Sequence, residues 1–397
     1  MIMSQPRWRN RQNIYTGFMV CVMFFIASCG STAQPAASIP ASPTATIAPS
    51  PTPMVLDPTQ FPTVAQVWGK PTLTMRMPAN FTFESLSDDG TKAFGSETTS
   101  DGLTYQAGWV NVSNGVFTAV ESTPVKNPNN PMNDNIRPGC CMTDGRYVVG
   151  TNNLDEKLFT SNIWYYDTQT NQLHTITSTH YANINYDSIL WVKDGIATYW
   201  TTTITGVVTI MQVNMATGVR QPAPFSIPPN MSLSLFLVES DYPSIMYGNG
   251  SSQYLFNTLT QQTINITSGS GYPWDGTIVG SNLIYMNNPR NSSKGGISDF
   301  NIQTKQTTIL FSYTIPSSVV EVDLVGADER VVVLSVPGSN GDQSWFYEVI
   351  WDRTLNKWFI TPKLPYYPRF VLNSHYLAYA DDSNTLVLYA ISKLPNS

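Results

Sequence analysis

Short apolar runs recur along the chain from about residue 65 onward, and polar turn pairs separate them. The pairs stand at Asp89-Gly90, Asp144-Gly145, Asp194-Gly195, Asp241-Tyr242, Ser281-Asn282, Asp328-Glu329 and Asn373-Ser374, one about every 47 residues. After each pair comes a β-rich run, such as Arg146-Tyr147-Val148-Val149, Gly195-Ile196-Ala197-Thr198-Tyr199 or Val331-Val332-Val333-Leu334. Runs of this length and composition, bounded by Gly, Asn and Asp, predict strands and tight turns. No stretch after residue 60 keeps a 3.6-residue apolar period, so the expected class is all-β.

A second marker keeps the same period: an apolar or aromatic run ending in Asn or Asp, with Thr three residues on. Its copies are Asp167/Thr170, Asn214/Thr217, Asn257/Thr260 and Asn301/Thr304, while Asn111 and Asp352 keep only the first member. The Asx oxygen can accept backbone N–H groups of a turn, and the Thr is expected to open the next strand. Two markers repeating in phase predict seven four-stranded units, the dimension of a β-propeller blade as in WD40 or kelch repeats, with six or eight blades as alternatives. The run Leu86-Ser87-Asp88-Asp89-Gly90-Thr91-Lys92-Ala93-Phe94 resembles the turn repeat of TolB-like propellers, with Asp88 where that pattern has proline. The resemblance implies an architecture and no activity, because propellers host hydrolases, lyases and scaffolds alike. The last unit lacks a fourth strand after Thr385-Leu386-Val387-Leu388-Tyr389. The alternating segment Thr72 to Met77 is expected to supply it and so close the ring.

The N-terminus reads differently. Arg7, Arg9 and Arg11 precede a short apolar stretch from Ile14 to Phe25, the order of a signal peptide and too short to span a bilayer. Ile26-Ala27-Ser28-Cys29 follows and resembles the lipobox of bacterial lipoproteins. The resemblance implies cleavage after residue 28, lipidation of Cys29, a membrane partner bound through acyl chains and an extracytoplasmic location at the cell envelope. Residues 29–62, rich in Pro, Ala, Ser and Thr, cannot bury enough apolar area to offset their ordering entropy and are expected to form a disordered tether. The propeller domain is then residues 63–397.

Composition narrows the function classes. Only 12% of residues are charged, against roughly 25% in an average soluble domain. The net charge is −6, and a nucleic-acid binder needs a surplus of Lys and Arg instead.

Candidate chemistry is sparse. Cys140-Cys141 is the one cysteine pair beyond the signal segment, either a vicinal disulfide or two packed thiols, and strand alternation, which points adjacent side chains to opposite faces, favours the thiols. Glu321 and Asp323 are expected to share a strand face near the channel as solvated carboxylates. Asp88-Asp89 and Asp381-Asp382 belong to turns. His174, His180 and His375 are scattered, and no nucleophile elbow, Walker loop or His-Glu-x-x-His motif occurs. No metal or cofactor is expected. Aromatic faces stack on sugars and grip peptide side chains. Trp164 to Tyr166 is expected to be core, whereas Tyr272, Trp274, Tyr366 and Tyr367 fall in Pro-containing connections and are the candidates for a binding face. The segments Glu121 to Pro138, Thr151 to Asn162, Asn287 to Gly296 and Pro337 to Ser344 are expected to be long loops on that face. The expected function is a tethered recognition or scaffold module for protein, peptide or glycan; the alternative is a propeller hydrolase or lyase acting on glycans.

Overall fold

The computed structural model describes residues 53–124, 139–155, 160–179, 188–202, 208–226, 228, 236–248, 253–266, 273–287, 293–340, 343–362, 370–381 and 383–395. The chain enters through β1 (Met54–Val55), a one-turn helix α1 (Val64–Trp68) and β2 (Leu73–Arg76). Blade 1 comprises β3 (Phe81–Leu86), β4 (Lys92–Thr98), β5 (Thr104–Asn111) and β6 (Phe117–Pro124). Blade 2 comprises β7 (Gly139–Thr143), β8 (Tyr147–Asp155), β9 (Thr160–Asp167) and β10 (Gln172–Thr179). Blade 3 holds β11 (Ser188–Lys193), β12 (Ile196–Thr202), β13 (Val208–Asn214) and β14 (Val219–Pro222). Blade 4 holds β15 (Phe236–Asp241), β16 (Ser244–Gly248), β17 (Gln253–Asn257) and β18 (Gln262–Asn265). In blade 5 the strands are β19 (Pro273–Val279), β20 (Asn282–Asn287), β21 (Lys294–Asn301) and β22 (Thr307–Thr314). In blade 6 they are β23 (Asp323–Ala327), β24 (Val331–Asn340), β25 (Gln343–Asp352) and β26 (Lys357–Ile360). Blade 7 is β27 (Phe370–Leu372), β28 (Tyr376–Ala380), β29 (Thr385–Ala390) and, as its fourth strand, β2.

The strands therefore form seven antiparallel blades of a propeller, as the two phased markers predict. Every one of the seven turn pairs joins the first and second strands of a blade, or overlaps the start of the second. Closure falls where expected: Leu73 pairs with Leu388, Thr74 with Val387, Met75 with Leu386 and Arg76 with Thr385. Thr72 and Met77 extend the pairing, the first through its Oγ1 accepting from Ala390 N at 3.0 Å, the second by donating to Asn384 O at 3.0 Å.

The second strand of each blade shows why the apolar runs do not alternate with polar residues. In β20, Leu283 and Tyr285 face blade 4, while Ile284 and Met286 face blade 6. In β24, Val331 and Val333 pack toward blade 7, and Val332 and Leu334 toward blade 5. A strand buried on both faces must be apolar throughout. The core is accordingly not one mass: among the described residues it divides into seven clusters, each lying between two adjacent blades. Each large side chain buried there contributes about 1.5–3 kcal/mol.

Two features differ from the expectation. The sequence predicts a tether running to residue 62, yet residues 54–62 lie against the ring. Met54 and Val55 pair in parallel with Tyr313 and Thr314 of β22, and Leu56 is fully buried between blades 5 and 6. The helix α1 then follows, a single turn that no apolar period announces. Its Val64 and Trp68 fill the groove between blades 6 and 7, with Trp68 edge-on to Phe359 at 4.7 Å.

Candidate functional site

The inner strands β3, β7, β11, β15, β19, β23 and β27 touch one another in sequence around a closed ring, which makes them the wall of the channel. In blades 1 to 6 the inner strand carries one extra residue against its partner. The slips fall between Phe83 and Ser85, Gly139 and Met142, Ile189 and Trp191, Leu237 and Glu239, Pro273 and Gly276, and Leu324 and Gly326. A β-bulge bends its strand and re-aims a side chain, so six blades share one device at their inner edge. Glu84 is the extra residue in blade 1, where Ser96 Oγ donates to its Oε1 at 3.4 Å. Cys140 and Cys141 share the bulge of blade 2 opposite Gly150, and Trp274 with Asp275 that of blade 5 opposite Met286.

Antiparallel order sends the turns between first and second strands, and between third and fourth, to one end of the ring. The connections between second and third strands, and between blades, leave from the other. The first end is built from satisfied turns. Six Asx residues, Asn111, Asp167, Asn214, Asn257, Asn301 and Asp352, each accept the backbone N–H two residues on through Oδ1, at 2.9 to 3.1 Å. The residue four positions later is left-handed in every copy: Gly115, Asn171, Gly218, Gln261, Lys305 and Asn356. The Thr three residues on lies inside the turn, which corrects the expectation that it opens the next strand. Where the Asx is charged, an arginine from the first turn of the same blade meets it. Arg146 binds Asp167 at 3.1 and 2.7 Å, and Arg330 binds Asp352 at 3.2 and 2.9 Å. The Arg146 hydrogen bonds hold the Asp167 carboxyl at about 2. Asp89 serves its own turn, accepting from Ser87 Oγ and Thr91 N. Burial raises its pKa, but those hydrogen bonds outweigh it and leave the group below the ordinary carboxylate range. Asp381 Oδ1 accepts from Ser383 N and Thr385 N in the same manner.

At the opposite end, among the described residues, two hairpins carry the longest pairing between second and third strands. Pairing in β24 and β25 runs out to Asn340 and Gln343, and in β8 and β9 to Asp155 and Thr160. The segments Thr151 to Asn162 and Pro337 to Ser344, expected as long loops, are therefore largely paired strand, while residues 125–138 and 288–292 of the other two expected loops lie outside the described residues. Residues Ser318 to Val320 add a further rung, with Val320 N donating to Pro337 O and Ser339 N to Ser318 O, both at 2.9 Å. In this extended hairpin Glu348 is fully buried, opposite Ser335 in the ladder, and its backbone N–H donates to Thr361 Oγ1 at 3.2 Å.

The structure places the sequence candidates as follows. Trp274 stands in β19, on the inner strand of blade 5 and not in a connection. Tyr272, Tyr366, Tyr367, His180 and Asp382 lie outside the described residues, as does Cys29. Cys141 is buried and disulfide-bonded, so the reading as a free packed thiol is corrected. Trp164 and Tyr165 are buried core. Glu321 precedes β23 and Asp323 opens it, both half-buried. His174 is exposed on the outermost strand of blade 2, stacked on Tyr165 at 4.7 Å, and His375 is exposed in a turn of blade 7. Among the described residues no three His, Cys, Asp or Glu side chains converge to hold a metal ion. Glu84 and Glu348 carried no signal in the sequence, since a single carboxylate in a strand looks like a solvent-facing residue.

No protein-family model and no curated protein matches the sequence. Solved structures of low identity are similar to this chain in part. The uncharacterized protein lmo1340 from Listeria monocytogenes EGD-e is 11% identical, with a TM-score of 0.48 over 79% of this chain and 95% of that one. An oligogalacturonate lyase in complex with manganese is 11% identical, with a TM-score of 0.44 over 81% and 92%. BamB from Moraxella catarrhalis is 9% identical, with a TM-score of 0.40 over 81% and 99%. These likenesses are of architecture.

Proposed function

We propose that this chain is a lipid-anchored, extracytoplasmic propeller that recognises a protein, peptide or glycan at the end of the ring opposite the Asx turns. The observation that carries the reading is the asymmetry of the two ends. One is a set of closed turns whose Asx side chains are spent on their own backbone. At the other lie the extended hairpins of blades 2 and 6 and the bulged start of the inner strand bearing Trp274. Irregular, protruding backbone on a rigid ring is where recognition is usually built. Tyr272, Tyr366 and Tyr367, which lie outside the described residues, are proposed together with Trp274 as the aromatic set of this face. Cys29 carries the lipid, and residues 29–53 are the tether.

A glycan array and a pull-down from envelope extract, each with wild type and with Trp274→Ala and Tyr367→Ala, test the reading. The expected outcome is a ligand whose affinity falls at least tenfold in both variants while their melting temperatures stay at the wild-type value. A ligand bound equally by all three proteins would move the site away from this face. Turnover of a glycan by the wild type would favour the hydrolase or lyase instead.

A further inference from the structure

We infer that Cys140 and Cys141 form a vicinal disulfide that acts as a redox-dependent latch at the seam between blades 1 and 2. The ground is the bulge of β7. In a regular strand adjacent side chains point to opposite faces, and two neighbouring cysteines cannot meet. Here the two stand together opposite Gly150, because Gly139 pairs with Thr151 and the next rung joins Met142 to Val149. Such a two-against-one arrangement breaks the alternation and re-aims one side chain, which gives adjacent cysteines a route to each other. Cys141 is already disulfide-bonded. The chain has four cysteines, and of the other three only Cys140 is on the same strand.

The surroundings say what the bond holds. Cys141 lies in the apolar cluster between the two blades, with Phe94, Ala107 and Trp109 on one side and Val148 and Trp164 on the other. Its backbone is tied across the seam at both polar atoms: Ser85 Oγ donates to Cys141 O at 2.8 Å, and Cys141 N donates to Ser85 Oγ at 3.5 Å. Gly150, across the ladder, has no room for a side chain, because a Cβ there would stand 2.2 Å from the Trp164 ring. The bulge, the indole and the Ser85 hydrogen bonds thus form one fitted unit, and the disulfide fixes the backbone form on which that unit depends. Forming it removes two protons and two electrons from the two thiols. The electrons pass to a thiol–disulfide oxidoreductase or a small-molecule disulfide, whose own S–S bond opens to two thiols. Reduction removes this covalent constraint from β7 and so loosens the blade 1–blade 2 seam.

The test uses the full chain purified without reductant. Peptide mapping after denaturation in alkylating agent should find residues 140 and 141 in one unalkylated peptide, lighter by two hydrogens than the reduced form. Cys140→Ser should leave Cys141 alkylated. Thermal melting with and without dithiothreitol should show a drop of a few degrees in the wild type and none in the Cys140→Ser/Cys141→Ser double variant. Alkylation of both cysteines in the untreated wild type, or a cross-linked peptide joining Cys141 to Cys29, would overturn the pairing. An unchanged melting temperature on complete reduction would overturn the latch.

Discussion

Asp167 and Asp352 are the two charged members of the six-membered series of Asx turns, and each has an arginine that the four asparagines lack. A carboxylate at this position accepts the turn N–H groups as well as an amide does, but it carries a charge into a site that is almost closed to solvent. Asp352 is fully buried, and Trp68 Nε1 donates to it at 2.8 Å alongside Arg330. Asp167 is 8% exposed and Arg146 41%, so their pair is open to screening by salt on its arginine side. The sign of the pH dependence follows from a carboxyl held at about 2 against an ordinary value of 3.8. Its contribution is complete above about pH 4 and disappears as pH falls toward about 2, because the unfolded chain takes up the proton first. Asp167→Asn should therefore lower stability at neutral pH and flatten the loss between about pH 4 and 2 in a denaturant titration. An unaltered acid limb would show that Arg146 does not bias this carboxyl.

At the scale of elements, the ring depends on two pieces from its N-terminal side. β2 completes blade 7 and covers the edge of β29, while the segment from Met54 to Trp68 straps blades 5, 6 and 7 together from outside. A protein beginning at residue 78 loses both. It should melt well below the intact chain and run as a dimer or larger species in size-exclusion chromatography, because β29 is left as an open edge. A monomer with the parent melting temperature would show that closure does not need β2. The first piece was readable in advance and the second was not. Thr72 to Met77 alternates within itself and answers a visible deficit after Tyr389. The apolar residues of the strap, Leu56, Val64 and Trp68, fall in a short stretch broken by Pro58, Pro62 and polar residues, with no strand or helix period. Each takes its meaning from a groove supplied far along the chain, as Trp68 does from Phe359 and Asp352. Likewise the turns were legible because Asx chemistry is local. The bulges were not, since an extra residue in a strand appears only when the partner strand is in place. That is why strand alternation alone argued for separate thiols at Cys140 and Cys141.

For the whole molecule, seven inter-blade clusters joined end to end make a closed ring with no dominant centre, and its stability is spread over the seams. Charge is sparse, and among the described residues no helix is long and apolar enough to cross a membrane. Under the proposed function, attachment is the work of Cys29. Acyl chains contribute about 0.8 kcal/mol per buried CH₂, so two or three hold firmly where one does not. The tether then meets the ring at Met54, on the outer edge of blade 5, where β1 pairs with β22. The most direct test of an anchored, extracytoplasmic propeller is the intact mass of the chain extracted from membranes, wild type beside Cys29→Ser. An anchored propeller requires residues 29–397 plus acyl groups for the wild type and no acylated species for the variant. A wild-type chain that keeps residues 1–28, or one cleaved at residue 29 but bearing no lipid, would contradict it.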